Sequence, residues 1–325
     1  MCLVAFAIHA SDRWPLVVAA NRDEFFDRPT LQLARWQSSA GQSIISGRDV
    51  RAGGTWLGMT PSGRFALLTN VRELPSGTPS DSPSPSPSPS PSPSPSPSFF
   101  SAPRSRGELV MRWLENDMDA NQFMAQTDSQ AYAGFNLVLG DAPTGRWTWL
   151  SNRFFAADAH RPKPAGWCSK ALVPGIYGLS NAALDTPWPK TLALRAALAD
   201  AMKNANATPN AQTMDTQLWT ALANRQRASR ESLPDTGRSV ALEESLSSVF
   251  VDAPERAYGT RCSTLLVASA AQDTAGSHHW QVRIDEKTHR PTTAAQQGSG
   301  QNGHASMVSQ HVRWPVSAPH RDLAF

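Results

Sequence analysis

Cys2-Leu3-Val4-Ala5-Phe6-Ala7-Ile8 follows Met1 as an unbroken apolar run, closed by the polar His9-Ala10-Ser11-Asp12. Short, apolar and rich in β-branched and aromatic residues, it reads as a strand. Trp14-Pro15-Leu16-Val17-Val18-Ala19-Ala20 is a second such run, so the chain is expected to open with a β-hairpin. The opening run is too short to span a bilayer. It also lacks the basic start and small-residue cleavage site of a secretory signal. No membrane span is expected, and a cytoplasmic location is the default.

Working outward, residues 47–63 are glycine-rich around a short strand at 55–57, and residues 64–70 form the next strand. Residues 105–115 predict a helix with Ser105 as N-cap and Glu108 completing a capping box. Residues 135–139 and 147–150 flank a turn-rich loop and predict a hairpin. The strongest helix covers 186–203, and a shorter one covers 215–223. Strands at 247–251, 263–267 and 280–284 complete the set. Strands, then helices, then strands again indicate a layered α+β fold rather than alternating β-α-β units.

Residues 82–97 are an uninterrupted Ser-Pro alternation. Proline removes every second backbone donor, so an extended polyproline II-like segment is expected there. Strand-like runs lie on both sides. The tract therefore reads as a disordered surface-loop insertion, residues 75–103, within one domain spanning 1–289. Closing a longer loop costs little, since the cost grows only with the logarithm of length. Residues 290–325 are polar and read as a loosely ordered tail.

Hydrophobic residues make up 40% of the chain and charged residues 18%, which fits a chain with a substantial core. The formal net charge of +3 is not gathered into a basic stripe, so no nucleic-acid partner is expected. Cys2, Cys168 and Cys262 form no C-x-x-C pair and lie beside no histidines at zinc-ligand spacing. No metal or other cofactor is expected. Sparse, odd cysteines point to a reducing compartment.

Cys2 carries the chemistry. Removal of Met1 would leave a thiol and a free α-amine on one residue. That amine has an ordinary pKa of about 7.7–8.0 and can take the thiol proton without any histidine. Alone, a cysteine at position 2 reads first as a small apolar residue starting a buried strand. The motifs downstream change the balance. They are Asn21-Arg22-Asp23-Glu24-Phe25, Gly53-Gly54-Thr55-Trp56-Leu57-Gly58, Leu68-Thr69-Asn70, Ser105-Arg106-Gly107-Glu108-Leu109 and Tyr132-Ala133-Gly134-Phe135-Asn136-Leu137. Tyr177-Gly178-Leu179-Ser180-Asn181, Thr186-Pro187-Trp188-Pro189-Lys190 and Tyr258-Gly259-Thr260-Arg261 follow in order.

This ordered set resembles the NRDE family, that of transport and Golgi organisation protein 2, over roughly residues 1–285. The family is in turn similar to N-terminal-nucleophile cysteine hydrolases. The resemblance implies a four-layer αββα sandwich and cleavage of a non-peptide C–N amide bond through Cys2. It implies that Asp23 of the Asn21-x-Asp23 pattern orients the amine, with Asn21 on its face and Arg22 turned away into a structural pair. Asn70 and Asn136 would donate to an oxyanion, and Arg261 would tune charge or bind an acidic group. Asn181 stands as a further supporting residue. The chain departs from the cysteine acylases in carrying Ala20 where they have arginine. The alternative class is a non-catalytic binding or trafficking protein for haem or acyl lipids. Either way the expected partner is a small molecule, an amide, an acyl compound or haem.

Overall fold

Both parities of the opening run are buried. Val4, Phe6 and Ile8 enter one apolar cluster, and Leu3, Ala5 and Ala7 enter another. Alternate residues of a strand point to opposite faces, so this strand belongs to a sheet covered on both sides. The computed structural model describes residues 2–73, 104–155, 163–207, 211–274, 277–289 and 306–316. The insertion expected at 75–103 lies outside the described residues, as does most of the tail.

The chain begins with β1 (Cys2–Ile8), β2 (Leu16–Phe25), β3 (Thr30–Gln37), β4 (Ser43–Asp49), β5 (Leu57–Met59) and β6 (Arg64–Asn70). Helices α1 (Gly107–Leu114) and α2 (Ala120–Ala125) precede β7 (Phe135–Asp141), β8 (Arg146–Phe154), β9 (Lys163–Ala171) and β10 (Gly175–Leu179). Then come α3 (Pro189–Ala207), α4 (Ala211–Leu222) and α5 (Val240–Ser245). The last strands are β11 (Asp252–Ala253), β12 (Tyr258–Gln272), β13 (His278–Thr288) and β14 (Ser306–Pro315).

One sheet runs β10-β1-β2-β12-β13-β14, with β11 beside β12; the other runs β3 to β9 in chain order. Val4, Phe6, Val18 and Leu266 of the first sheet meet Leu57, Leu67 and Val138 of the second in the central cluster. Leu3, Ala5, Val17 and Ala19 pack under Leu194, Leu198, Met214 and Leu218 of α3 and α4. Ala66, Leu68 and Leu137 pack under Leu109, Trp113 and Phe123 of α1 and α2. Two sheets face each other with a helical layer outside each, which is the four-layer αββα arrangement. Each fully buried leucine or phenylalanine contributes about 1.5–3 kcal/mol to holding these layers together.

The opening hairpin, the strand at 64–70 and the hairpin of β7 and β8 form as the local pattern predicts. Three expectations do not. First, α1 starts at Gly107, with Arg106 at the N-cap and no side-chain cap. The carbonyl of Ser105 accepts from Glu108 N at 3.0 Å instead. A Cβ at Gly54 would lie 2.6 Å from the Gly107 carbonyl carbon, so this helix start is shaped by backbone contact between two of the glycine motifs. Second, residues 247–251 are not a strand. Phe250 N donates to Asn224 O and Val251 N to Thr260 Oγ1, so these donors serve no strand ladder.

Third, the tail is not uniformly loose. Ser306–Pro315 pairs with β13 along its length, from Thr288 opposite Ser306 to His279 opposite Pro315. Val308, Gln310, Val312 and Trp314 are its less exposed positions, and Trp314 is completely buried. Its indole donates to Thr60 O at 2.8 Å, joining this edge strand to the second sheet. The polar Gln310 among the inward positions hides the strand in the sequence, and one tryptophan anchors it.

Candidate functional site

Strand register decides what can meet Cys2. In the first sheet Cys2 lies opposite Arg22, and Arg22 lies opposite Cys262. These three share the parity of Val4, Val18 and Leu266 and so face the second sheet. A small cavity of about 10 Å³ between the sheets is lined by Cys2, Arg22, Trp56, Thr69 and Thr264, among others. Asn21 and Asp23 have the opposite parity and face the helical layer. The sequence reading of the Asn-x-Asp faces matches this placement.

Asp23 is buried and accepts a hydrogen bond from Thr260 Oγ1 at 2.7 Å. Burial raises its carboxyl above the ordinary range, opposed by Lys190, by the chain's amino terminus and by Thr260. Burial likewise pushes the Cys2 thiol up; the amino terminus and Arg22 pull it down, while Asp23 and Glu24 push it further up. Burial thus favours the protonated thiol, and nucleophilic chemistry there calls for a base. Lys190, in the first turn of α3, is buried and donates to Leu246 O at 3.0 Å. Burial lowers its ammonium to about 8, against the pull of Asp23. Lys190 closes the Thr186–Lys190 motif, but only the packing of α3 brings it into the interior.

Asn21 is held by its surroundings. Its Nδ2 donates to Leu222 O and Val249 O, both at 2.9 Å. Its Oδ1 accepts from Ser263 Oγ at 2.6 Å, and Ser263 Oγ lies 2.9 Å from His289 Nε2. With its only proton on Asn21, Ser263 accepts from a protonated Nε2. His289 carries no motif and was not among the sequence candidates.

The three other asparagines converge on the turn after β10, but not as expected. Asn181 Nδ2 donates to Asn70 O at 2.7 Å, and Ser180 Oγ donates to Cys2 O at 3.2 Å. Asn136 Nδ2 donates to Thr69 Oγ1 at 3.1 Å and to Ala182 O at 2.8 Å. Both amide hydrogens of Asn136 are therefore used, and its buried Oδ1 has no partner among the described residues. An acceptor rather than an oxyanion donor is what Asn136 offers. Asn70 shares the parity of Ala66 and Leu68, which face α1, and it pairs with Phe135 of the same cluster. Thr69, its neighbour, is the residue of that motif that faces Cys2.

Arg22 donates through Nη1 to Thr30 Oγ1 at 3.0 Å, and its Nη2 lies 3.3 Å from Asp49 Oδ2. Its guanidinium stacks on Trp56, 4.1 Å from the ring centroid. Arg261 sits where the β2–β12 register shifts, between Thr260 and Cys262. Its Nη1 donates to the carbonyls of Phe25, Phe26 and Arg28, at 2.8, 2.9 and 3.3 Å. The bulge turns it onto the segment that follows β2, so it staples that turn.

A larger groove of about 880 Å³ lies elsewhere, on the helical side of β12 to β14, lined by Arg13, His279, Arg283 and Arg313 among others. Its Arg283 and Arg313 are already paired with Asp215 and Asp273. Among the described residues, no three of His, Cys, Asp and Glu are grouped to hold a metal ion. No described helix is long and apolar enough to cross a membrane.

The model of the Transport and Golgi organisation 2 family matches residues 1–276. The chain is 29% identical over 284 residues to the Transport and Golgi organization 2 homolog of Mus musculus, covering 83% of this chain and 89% of that protein. It is 27% identical over 309 residues to the Homo sapiens protein 2 homolog, covering 89% and 99%. Among solved structures, it is similar to a Caenorhabditis elegans N-acylethanolamine-hydrolyzing acid amidase ortholog, with TM-score 0.38, 10% identity and coverage of 67% and 85%. A mutant conjugated bile acid hydrolase from Clostridium perfringens matches with TM-score 0.40, 7% identity and coverage of 99% and 100%. Likenesses this distant do not bear on chemistry.

Proposed function

The chain belongs to the Transport and Golgi organisation 2 family, and from that premise we propose that it is a hydrolase cleaving a non-peptide C–N amide bond of a small molecule through Cys2. The observation that carries this reading is the placement of Cys2 on a cavity between the sheets, with buried Asp23 on the adjoining strand one residue past the Arg22 that opposes it. In this reading Met1 is removed and the α-amine of Cys2 takes the thiol proton. The sulfur then attacks the carbonyl carbon. The C–N bond breaks as the protonated amine returns the proton to the leaving nitrogen, and water hydrolyses the thioester left behind.

Asp23 would hold the amine by a charge-assisted hydrogen bond. Thr69, rather than Asn136, is the donor that fits the oxyanion: Asn136 occupies a lone pair of its hydroxyl oxygen, leaving the hydroxyl hydrogen for another partner. The cavity of about 10 Å³ at Cys2 has room for one water-sized atom, as an oxyanion or an attacking water requires. Free thiols at Cys2, Cys168 and Cys262 suit a reducing, cytoplasmic setting.

A panel of chromogenic acyl amides, run with wild type and Cys2→Ala, tests the proposal. Turnover by wild type alone supports it, and equal turnover by both removes the nucleophile. The intact mass of the purified chain reports whether Met1 has left.

A further inference from the structure

The arginine that cysteine acylases carry just before Asn-x-Asp is missing at Ala20. Arg22 is two residues further along β2, so it shares the face of Ala20 and stands directly opposite Cys2. Opposed residues on antiparallel strands carry their Cβ atoms about 4.5–5.5 Å apart. Arg22 and Cys2 line the same cavity. Arg22 is only 5% exposed, and Thr30, Asp49 and the Trp56 ring fix its guanidinium in place. Asp49 also binds Arg28, at 2.6 Å, so Arg22 shares this carboxylate with a second guanidinium.

We propose that Arg22 is a positioning residue for Cys2: its guanidinium holds the thiolate between the sheets, in place of the arginine absent at position 20. The proposal rests on the nucleophile reading above but concerns the ionisation of the thiol, which is measured without turnover. Other titratable groups act on Cys2 from the elements around it: the carboxyls of Asp23 and Glu24 on β2, Arg106 ahead of α1, Lys190 of α3, and the Tyr258 phenol and Cys262 thiol of β12. Among the described cations, Arg22 is the one both opposite Cys2 in register and on its face.

The test is the pH dependence of iodoacetamide alkylation, read by mass spectrometry on the Cys2-containing peptide of the full chain. Cys168 and Cys262 then do not interfere. Arg22→Gln is expected to raise the alkylation midpoint by ~1 pH unit or more. Arg22→Lys, which keeps the charge, should stay near wild type. Asp49→Asn keeps Thr30 and the Trp56 ring as anchors of Arg22, removes the carboxylate that shares its charge, and should lower the midpoint; this arm decides the matter if Arg22→Gln fails to fold. A folded Arg22→Gln with a wild-type midpoint, or an unmoved midpoint in Asp49→Asn, overturns the proposal. Because no substrate is involved, a shifted midpoint alongside absent turnover would sink only the hydrolase reading.

Discussion

Cys2 and Asp23 belong to opposite faces of one ladder. Cys2 opposes Arg22 on the side of the second sheet, while Asp23, the next residue, turns to the helical side and accepts from Thr260 Oγ1 at 2.7 Å. The carboxylate therefore lies on the other side of the sheet from the thiol, so its charge acts on the thiol through space while the amine at the strand's start is the group it would orient.

This separation predicts opposite effects on reactivity and turnover. In Asp23→Asn the negative charge that raises the thiol is gone, so Cys2 should alkylate at lower pH. Hydrolysis should nevertheless fall by ~100-fold or more, as expected when the group orienting a general base is lost. Parallel alkylation and amide-hydrolysis assays decide it. Loss of both together would mean that Asp23 supports only the fold.

Lys190 sets a pH dependence on the alkaline side. Burial lowers its ammonium from 10.5 to about 8. Between those values the unfolded chain binds the proton more tightly, so stability should rise as pH climbs from about 8 towards 10.5. Urea titrations across that range should show the rise in wild type and lose it in Lys190→Met.

His289 works in the acid range. Burial first, then Arg225 and Lys287, lowers its imidazole from 6.5 to about 4. The unfolded chain takes up the proton first, so this contribution to stability is complete above about 6.5 and is lost as pH falls towards 4. Melting temperatures between those pH values should drop less steeply in His289→Gln than in wild type. Equal slopes would show that His289 stays accessible to protons.

Trp314 should be a stability residue although it lies in the tail. Its ring is fully buried, 6.3 Å from Trp280 between centroids, and its indole donates to Thr60 O. Trp314→Ala is expected to cost about 3–5 kcal/mol. Chemical denaturation measures this directly, and a cost below 1 kcal/mol would show that β14 does not lock the two sheets.

Asn136 tests the asparagine assignment. Its amide spans from Thr69 on β6 to Ala182 after β10. Replacement by alanine would strand the Ala182 carbonyl, costing ~1–3 kcal/mol. A variant with unchanged stability but lost hydrolysis would restore the oxyanion role that the geometry withholds.

What the sequence determines by itself is local. The short apolar runs at residues 2–8 and 14–20 yield the hairpin, and the parity of Asn21, Arg22 and Asp23 follows from a two-residue period that needs no tertiary information. The ordered motifs identify the family and the nucleophile candidate. Tertiary structure decides the partners, because each is separated by chain lengths over which no pattern operates. Asp23 meets Thr260 from 237 residues away, and Asn21 meets Ser263 from 242. A single-residue bulge before Cys262 carries Arg261 to the carbonyls of Phe25, Phe26 and Arg28, and no composition or spacing announces it. Lys190 looks like a solvated helix residue until α3 is laid on the sheet and its ammonium loses water. Pattern fixes which face a side chain takes; packing alone fixes what it finds there.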